Sequence, residues 1–369
     1  MPYKIVIPKV KVATGLYSHW DSVIKINKKI LNWIKQSKGK KPKKIVLNSL
    51  EEVIFNLKKE RDNECLISKK AYEKLISLFP KRELRLGGNG NNMGRALFEF
   101  GLVPLVSYPI RPKKLMLSSP EFNVAIGNKL KKPKDAIRKN DPEFEHIVFE
   151  AKKWRSIFSW DLMSSRGIFD KDFLKIAFNP NLIKIAVISY AHLLLPKYKK
   201  KTNEIIDFIK TKRPKIHLEF GLGCEESMKY AMEKFSEYNA CDSWGLNEKE
   251  CKNYFKANSE NIKDLTEATL NAIKEYNVNR ICVHSPKFAF SISKYNIKNE
   301  IEALKTACLV SNLKISNKLN FNYKVAKKKL DNYNFTLITS FYNPQPKKIT
   351  GIGDVFAAIQ AVKIFTQTS

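Results

Sequence analysis

Two glycines and an aspartate, Gly351-Ile352-Gly353-Asp354, stand directly before an unbroken helical run from Val355 to Phe365. Glycines let a backbone turn tightly and carry amide N–H groups close to a bound group. A helix start leaves further N–H donors unpaired and bears about half a positive charge, so this junction suits an anion such as a phosphate. Asp354 is the odd member. A carboxylate beside an anion is repelled unless it takes a proton from an attacking hydroxyl or faces a metal ion. That combination points to phosphoryl transfer with Asp354 as general base. The same residues also fit an N-cap aspartate before an ordinary helix.

Three further segments deliver polar groups where strands end. Ile216-His217-Leu218-Glu219-Phe220 places His217 and Glu219 on one side of a strand, because side chains alternate with a period of two. Leu246-Asn247-Glu248-Lys249-Glu250 closes another strand and starts a helix, with Asn247 and Glu250 on a shared face. Cys282-Val283-His284-Ser285 ends a third. Glu219, Glu250 and Asp354 are then three carboxylates gathered above one sheet edge, a hard-oxygen set suited to Mg²⁺ or another divalent cation beside substrate phosphates. The spacing of Asn247 and Glu250 equally fits a capping box. His217 and His284 fit hydrogen-bonded core histidines as well as site residues, and His146 and His192 read as structural. No Cys/His spacing gives a zinc site.

A second glycine cluster, Gly87-Gly88-Asn89-Gly90-Asn91-Asn92-Met93-Gly94, opens a helix ending near Gly101. It reads either as backbone crowding a ligand, with asparagine amides facing hydroxyls, or as a ligand-free capping loop.

These residues need a frame. From residue 170 onward, apolar strands (182–190, 215–220, 241–246, 280–284) alternate with helical segments, the signature of a parallel sheet covered on both faces. Ligands of such sheets bind beyond the C-terminal strand ends. Near the N-terminus Val23, Ile26, Ile30 and Ile34 recur at helical spacing, which predicts a helix capped by Asp21 or Ser22. Between about 105 and 165, short strand-like pieces are broken by Pro and Lys-rich turns, predicting a small antiparallel sheet. The expected class is α/β: a large αβα sandwich (residues 1–16, 48–104 and 166–369) with a small β-rich lid (17–47 and 105–165).

The 369 residues carry 67 Lys+Arg against 36 Asp+Glu, a formal charge of +31, which favours anionic partners or reflects a lysine-rich solvated surface. No apolar run approaches the ~20 residues of a spanning helix. The six scattered cysteines read as reduced thiols, and a cytoplasmic location is expected.

Taken together, the chain resembles the ADP-dependent sugar kinases, the archaeal glucokinase and phosphofructokinase family within the ribokinase-like superfamily. Gly351-Ile352-Gly353-Asp354 looks like the superfamily's G-x-G-D anion-hole and base motif, and Asn247-Glu248-Lys249-Glu250 like its Mg²⁺-organising N-x-x-E. His217-Leu218-Glu219 resembles the H-x-E strand end of the ADP-dependent branch. Gly87-Gly88-Asn89 resembles its sugar-contacting glycine pair, Asp21 its sugar-gripping aspartate, and His284-Ser285 its His-Thr pair near the nucleotide. The family's N-x-N-x-D is here Tyr17-Ser18-His19-Trp20-Asp21, with neither Asn.

The resemblance implies a Mg²⁺-dependent glycolytic kinase that moves a phosphoryl group from ADP to a hydroxyl of a sugar or sugar phosphate and releases AMP. Asp354 would be the base, with the amides around Gly351 and Gly353 holding the transferring charge. Glu219 and Glu250 would position the metal, Asn247, His284 and Ser285 would lie by the nucleotide, and Asp21, Gly87, Gly88 and Asn89 would hold the acceptor. Arg155 and Arg166 would grip an acceptor phosphate with paired donors. Two alternatives stay open: an ATP-dependent ribokinase-like sugar or nucleoside kinase, and a basic protein associated with nucleic acid. Monomer and dimer are both compatible with the sequence.

Overall fold

A computed structural model describes residues 5–44, 46–152, 154–161, 163, 167–190, 197–209, 212–221, 223–316, 322–339 and 351–367. Arg166, His192 and Thr350 lie outside the described residues. Along the chain the strands are β1 (Val12–Gly15), β2 (His19–Lys25), β3 (Asn63–Leu66), β4 (Glu83–Gly87), β5 (Leu105–Val106), β6 (Val124–Ile126), β7 (Lys129–Lys131), β8 (Glu145–Glu150) and β9 (Arg155–Ser159). Beyond them come β10 (Ile185–Tyr190), β11 (Lys215–Phe220), β12 (Ser243–Asn247), β13 (Arg280–His284), β14 (Phe288–Ser293), β15 (Val325–Leu330) and β16 (Tyr333–Thr339).

The larger sheet has nine strands in the order β15-β16-β14-β13-β12-β11-β10-β1-β5. Pairing is parallel from β5 through β13 and antiparallel from β13 through β14 and β16 to β15. Its parallel strands are apolar on both sides because helices cover both faces. On β10, Ala186 and Ile188 join the core beneath helices Lys171–Ala177, Tyr198–Ile209, Glu225–Glu237 and Ile262–Glu275. Ile185 and Val187 point the other way, into a core shared with helices Asn89–Phe98, Ile297–Ser316 and Ile352–Gln367. The last of these is buried at every position from Val355 to Val362, as its all-round apolar sequence requires of a helix held between neighbours. The α/β sandwich is therefore as expected from the strand–helix alternation.

At the open edge, Lys327, Lys328 and Lys329 line the exposed β15. Lysines on an edge strand hinder pairing with another chain, which gives this basic run a structural role. Among the described residues, no helix is long and apolar enough to cross a membrane.

The smaller sheet runs β3-β9-β8-β2-β4 and differs from the sequence expectation in three ways. It is mixed rather than antiparallel, since β2 pairs β8 and β3 pairs β9 in parallel. Residues 48–87, assigned by sequence to the large body, supply β3, β4 and the helices Leu50–Leu57 and Lys69–Leu78 to this sheet, while β5 belongs to the large one. A short apolar strand beside an amphipathic helix reads alike on either sheet, so periodicity alone cannot allot it.

The third difference concerns Asp21. It caps no helix but sits within β2, and the first helix, Lys28–Gln36, is capped by Asn27. The apolar positions 23, 26, 30 and 34 straddle a strand end and the following helix, and their spacing imitates one continuous helix.

Candidate active site

The parallel register brings the ends of β11, β12 and β13 side by side. Glu219 lies opposite Gly245, and Asn247 opposite His284. Glu219 accepts from His217 Nε2 at 3.1 Å and from His284 Nε2 at 2.7 Å. Burial works against its charge, but His284 and His217 overcome that and hold the carboxyl down to about 2. The same carboxylate raises His284 against the opposing effect of burial, whereas burial keeps His217 lowered.

His217 is fixed from behind. Its Nδ1 lies 3.0 Å from Ser243 Oγ, which accepts from Arg280 at 3.0 Å, and Arg280 is paired to Glu300 at 2.8 Å, all fully buried. Because Ser243 accepts from Arg280, its own proton is available to His217 Nδ1, leaving Nε2–H to donate to Glu219. The Gln360 amide packs 2.9 Å from Nε2. Gly245 is required here, since a Cβ at this position would land on the Glu219 carboxylate.

Asn247 and Glu250 form the capping box that their spacing allows. Asn247 Oδ1 accepts from the Glu250 N–H at 2.9 Å, and Glu250 Oε2 accepts from the Asn247 N–H at 2.9 Å. The cap does not exhaust Glu250. Burial, reinforced by Glu219, pushes its carboxyl up to about 7 despite that N–H.

Asp354 sits in the first turn of Ile352–Gln367 and accepts from Asn92 Nδ2 at 2.9 Å. Burial, with Glu219 adding, pushes it up to about 6, while Asn92, Arg155 and His284 pull the other way. Gly351 has φ +76°, and a Cβ there would strike the Asn92 amide; Gly353 backs onto His284. Glu219, Glu250 and Asp354 are thus brought into one electrostatic neighbourhood at the sheet's carboxyl edge. Ser285 instead holds the β13–β14 turn, its Oγ accepting from the N–H groups of Lys287 and Phe288.

Of the residues assigned to the acceptor, Asp21, Gly87 and Arg155 sit on the smaller sheet, and Gly88 and Asn89 begin the helix that follows β4. Alternation and register place His19 and Asp21 of β2, His146 of β8 and Arg155 of β9 on the face opposite the helices that bury Ile24, Ile147, Phe149 and Phe158. Arg155 lowers both Asp21 and Asp354, so its charge lies within reach of both regions. Gly87 and Gly88 do crowd something, but it is the chain itself. A Cβ on Gly87 would overlap the Asp21 carboxylate, and one on Gly88 would lie 2.7 Å from Tyr17 O. Asn89 accepts from the Tyr17 N–H at 3.0 Å, fastening the turn between β1 and β2.

Sequence reasoning missed Asn92 as the partner of Asp354, Gly245, Gln360, and the grouping of His19 and His146. Asn92 carried a signal, its place in the glycine cluster. The others carried none, because nothing in their own segments marks them.

Residues 10–350 match the family described as ADP-specific Phosphofructokinase/Glucokinase conserved region. No curated protein matches the sequence. A hypothetical ADP-dependent phosphofructokinase from Pyrococcus horikoshii shares the fold at TM-score 0.75 and 16% identity, covering 98% of this chain and 99% of that one. A phosphofructokinase structure with AMP from the same organism also gives TM-score 0.75, at 15% identity over 98% and 99%. An ADP-dependent kinase in complex with fructose-6-phosphate and ADPβS gives TM-score 0.77 at 14% identity, covering 96% and 93%. The match over nearly the whole sequence decides the assignment: the chain belongs to the ADP-specific phosphofructokinase/glucokinase family, kinases that phosphorylate sugar hydroxyls.

Proposed function

We propose that this protein transfers a phosphoryl group from ADP to a hydroxyl of a sugar or sugar phosphate and releases AMP. The observation that carries the reading is Asp354, raised to about 6, oriented by Asn92 and placed at the start of a buried helix. A carboxylate of that strength is ionised at neutral pH yet basic enough to accept a proton in the transition state. The acceptor oxygen forms the new bond to the β-phosphorus as its proton passes to Asp354. The bond from that phosphorus to the bridging oxygen breaks, and AMP leaves.

The amides at Gly351–Asp354 begin a helix and face the charge that builds on the transferring group. Asp21 accepts hydrogen bonds from acceptor hydroxyls, and Arg155, acting on both Asp21 and Asp354, suits an anionic acceptor. The donor set fits Mg²⁺, because Glu250 and Asp354 are raised by burial and by Glu219, a repulsion that a hard cation relieves. Glu219 and Glu250 would hold it, in part through water, and when bound it would neutralise the donor's phosphate charge. His284 and Asn247, at neighbouring strand ends, suit the nucleotide side. The fructose-6-phosphate and ADP analogue of one structural neighbour, and the AMP of another, support this choice of substrates. Such a substrate pair suits a cytoplasmic location.

The test is a panel of sugars, sugar phosphates and nucleosides with ADP or ATP, scored for AMP or ADP release. AMP production with a sugar or sugar phosphate is expected. Turnover with ATP alone, or with no acceptor of this class, overturns the reading.

A further inference from the structure

We propose that His19, Asp21 and His146 form a binding site for a divalent transition-metal cation of the zinc type. Each offers one ligand atom, and these atoms all lie within 4.8 Å of one another. It is the one such mixed group found among the described residues. The three residues are buried, with 6–7% exposure, on the face of the smaller sheet opposite its helices.

The spacing of the donor atoms is compatible with coordination. His19 Nδ1 and Asp21 Oδ1 are 3.4 Å apart, long for a charge-assisted hydrogen bond, and the 3.3 Å contact of the same Nδ1 with the Trp20 carbonyl is one that a bound cation would replace. Two ligand atoms on a tetrahedral ion with bonds of about 2.0–2.1 Å are separated by roughly 3.4 Å. The His19 and His146 rings lie with centroids 3.6 Å apart and planes tilted by 32°. His146 donates from Nε2–H to Asp161 Oδ2 at 2.7 Å, which in the neutral ring leaves Nδ1 unprotonated and able to ligate an ion. A carboxylate behind a ligating imidazole is the usual device for fixing the ring and raising its basicity. The pairing of Asp21 with His146 across β2 and β8 makes the group rigid, and Gly87 leaves the space that the Asp21 carboxylate occupies.

The donor set also selects the ion. Two imidazoles and one carboxylate favour Zn²⁺, Co²⁺ or Ni²⁺, whereas Mg²⁺ takes oxygen ligands. The molecule therefore separates two metal chemistries: oxygen donors at the large sheet's edge and nitrogen donors on the smaller sheet. Because Asp21 is also assigned to the acceptor, a cation here would compete with the acceptor. That consequence rests on the proposed function; the site itself does not.

The full chain, stripped with chelator, is titrated with Zn²⁺ in excess Mg²⁺, and bound zinc is counted by equilibrium dialysis. One Zn²⁺ per chain at micromolar or tighter affinity is expected. His19→Asn and His146→Gln should each weaken it at least ~10-fold, and Asp161→Asn about 10-fold, the scale of a lost outer partner. Unfolded variants are set aside by their melting curves. In that case Co²⁺ bound to the wild type answers, since an intense visible spectrum of tetrahedral nitrogen–oxygen type is expected. No stoichiometric zinc, zinc retained in both folded histidine variants, or an octahedral Co²⁺ spectrum overturns the site. In assays, zinc should raise acceptor KM and leave kcat unchanged. Binding without such competition would overturn the regulatory consequence and leave the site, whereas an absent site leaves the acceptor role of Asp21 to its own variant.

Discussion

The two ends of this candidate active site are built on opposite plans. At the large sheet's edge, Glu219, Glu250 and Asp354 come from three short motifs, and their carboxyls crowd one another, so that two of them rise to about 7 and about 6. On the smaller sheet, Asp21 is matched by His19 and lowered, and His146 by Asp161. One end carries unbalanced negative charge and waits for a cation and a proton; on the other, each carboxylate has an imidazole partner. Chemistry asks for the first condition and selective gripping for the second.

If that contrast holds, variants should divide into losses of kcat and losses of acceptor affinity. The largest effect is expected from Asp354→Asn, which should cut kcat by at least ~10²-fold with nucleotide binding nearly unchanged. In the wild type, a carboxyl raised to about 6 is protonated as pH falls through that value, and a protonated Asp354 cannot act as base. The rate kcat/KM should therefore drop about tenfold per pH unit below that point. A flat acid limb in a pH series would remove Asp354 from the role.

Asp21→Ala should raise acceptor KM by ~10-fold or more, the scale of a charged hydrogen bond, with nucleotide affinity unaltered. Since Asp21 lies in a strand, no helix cap is lost with it. A normal acceptor KM in the folded variant would break the contrast on this side.

Gly245→Ala sharpens the other side. It forces Glu219 away from its two histidines, and overpacking of this kind costs about 1–3 kcal/mol. Melting temperature and Mg²⁺ requirement should move together while acceptor KM stays put, and an unchanged Mg²⁺ titration would count against Glu219.

The smallest effect is expected from Glu250→Gln, which keeps a cap acceptor for the Asn247 N–H and removes only charge. Half-maximal activity should need several-fold more Mg²⁺; no change would return Glu250 to its cap alone.

What was legible in the sequence follows the same division. His217 and Glu219, Asn247 and Glu250, and Gly351 to Asp354 are local spacings, and a strand or helix start fixes their mutual placement before the fold is known. Asp21 and His146 are neighbours only because β2 pairs β8 in one register, and nothing in either segment announces the other. His19–Lys25 hid its strand because five of its seven residues are buried, on both faces, which erases the alternation that marks a strand. Arg280 and Glu300 gave no sign of standing behind His217. Their role depends on β13 lying beside β12 and on a helix that covers the sheet.

β4 runs into the helix Asn89–Phe98 with a single residue between them, Gly88. Gly87 abuts the Asp21 carboxylate, and Asn92, one turn further on, holds Asp354. The proposed grip and the proposed base are therefore both contacted by the same six-residue stretch, whose helical part advances about 1.5 Å per residue. This stretch acts as a ruler. The span between these two carboxylates, proposed to hold the acceptor and to take its proton, is gauged in part by the covalent geometry of that stretch.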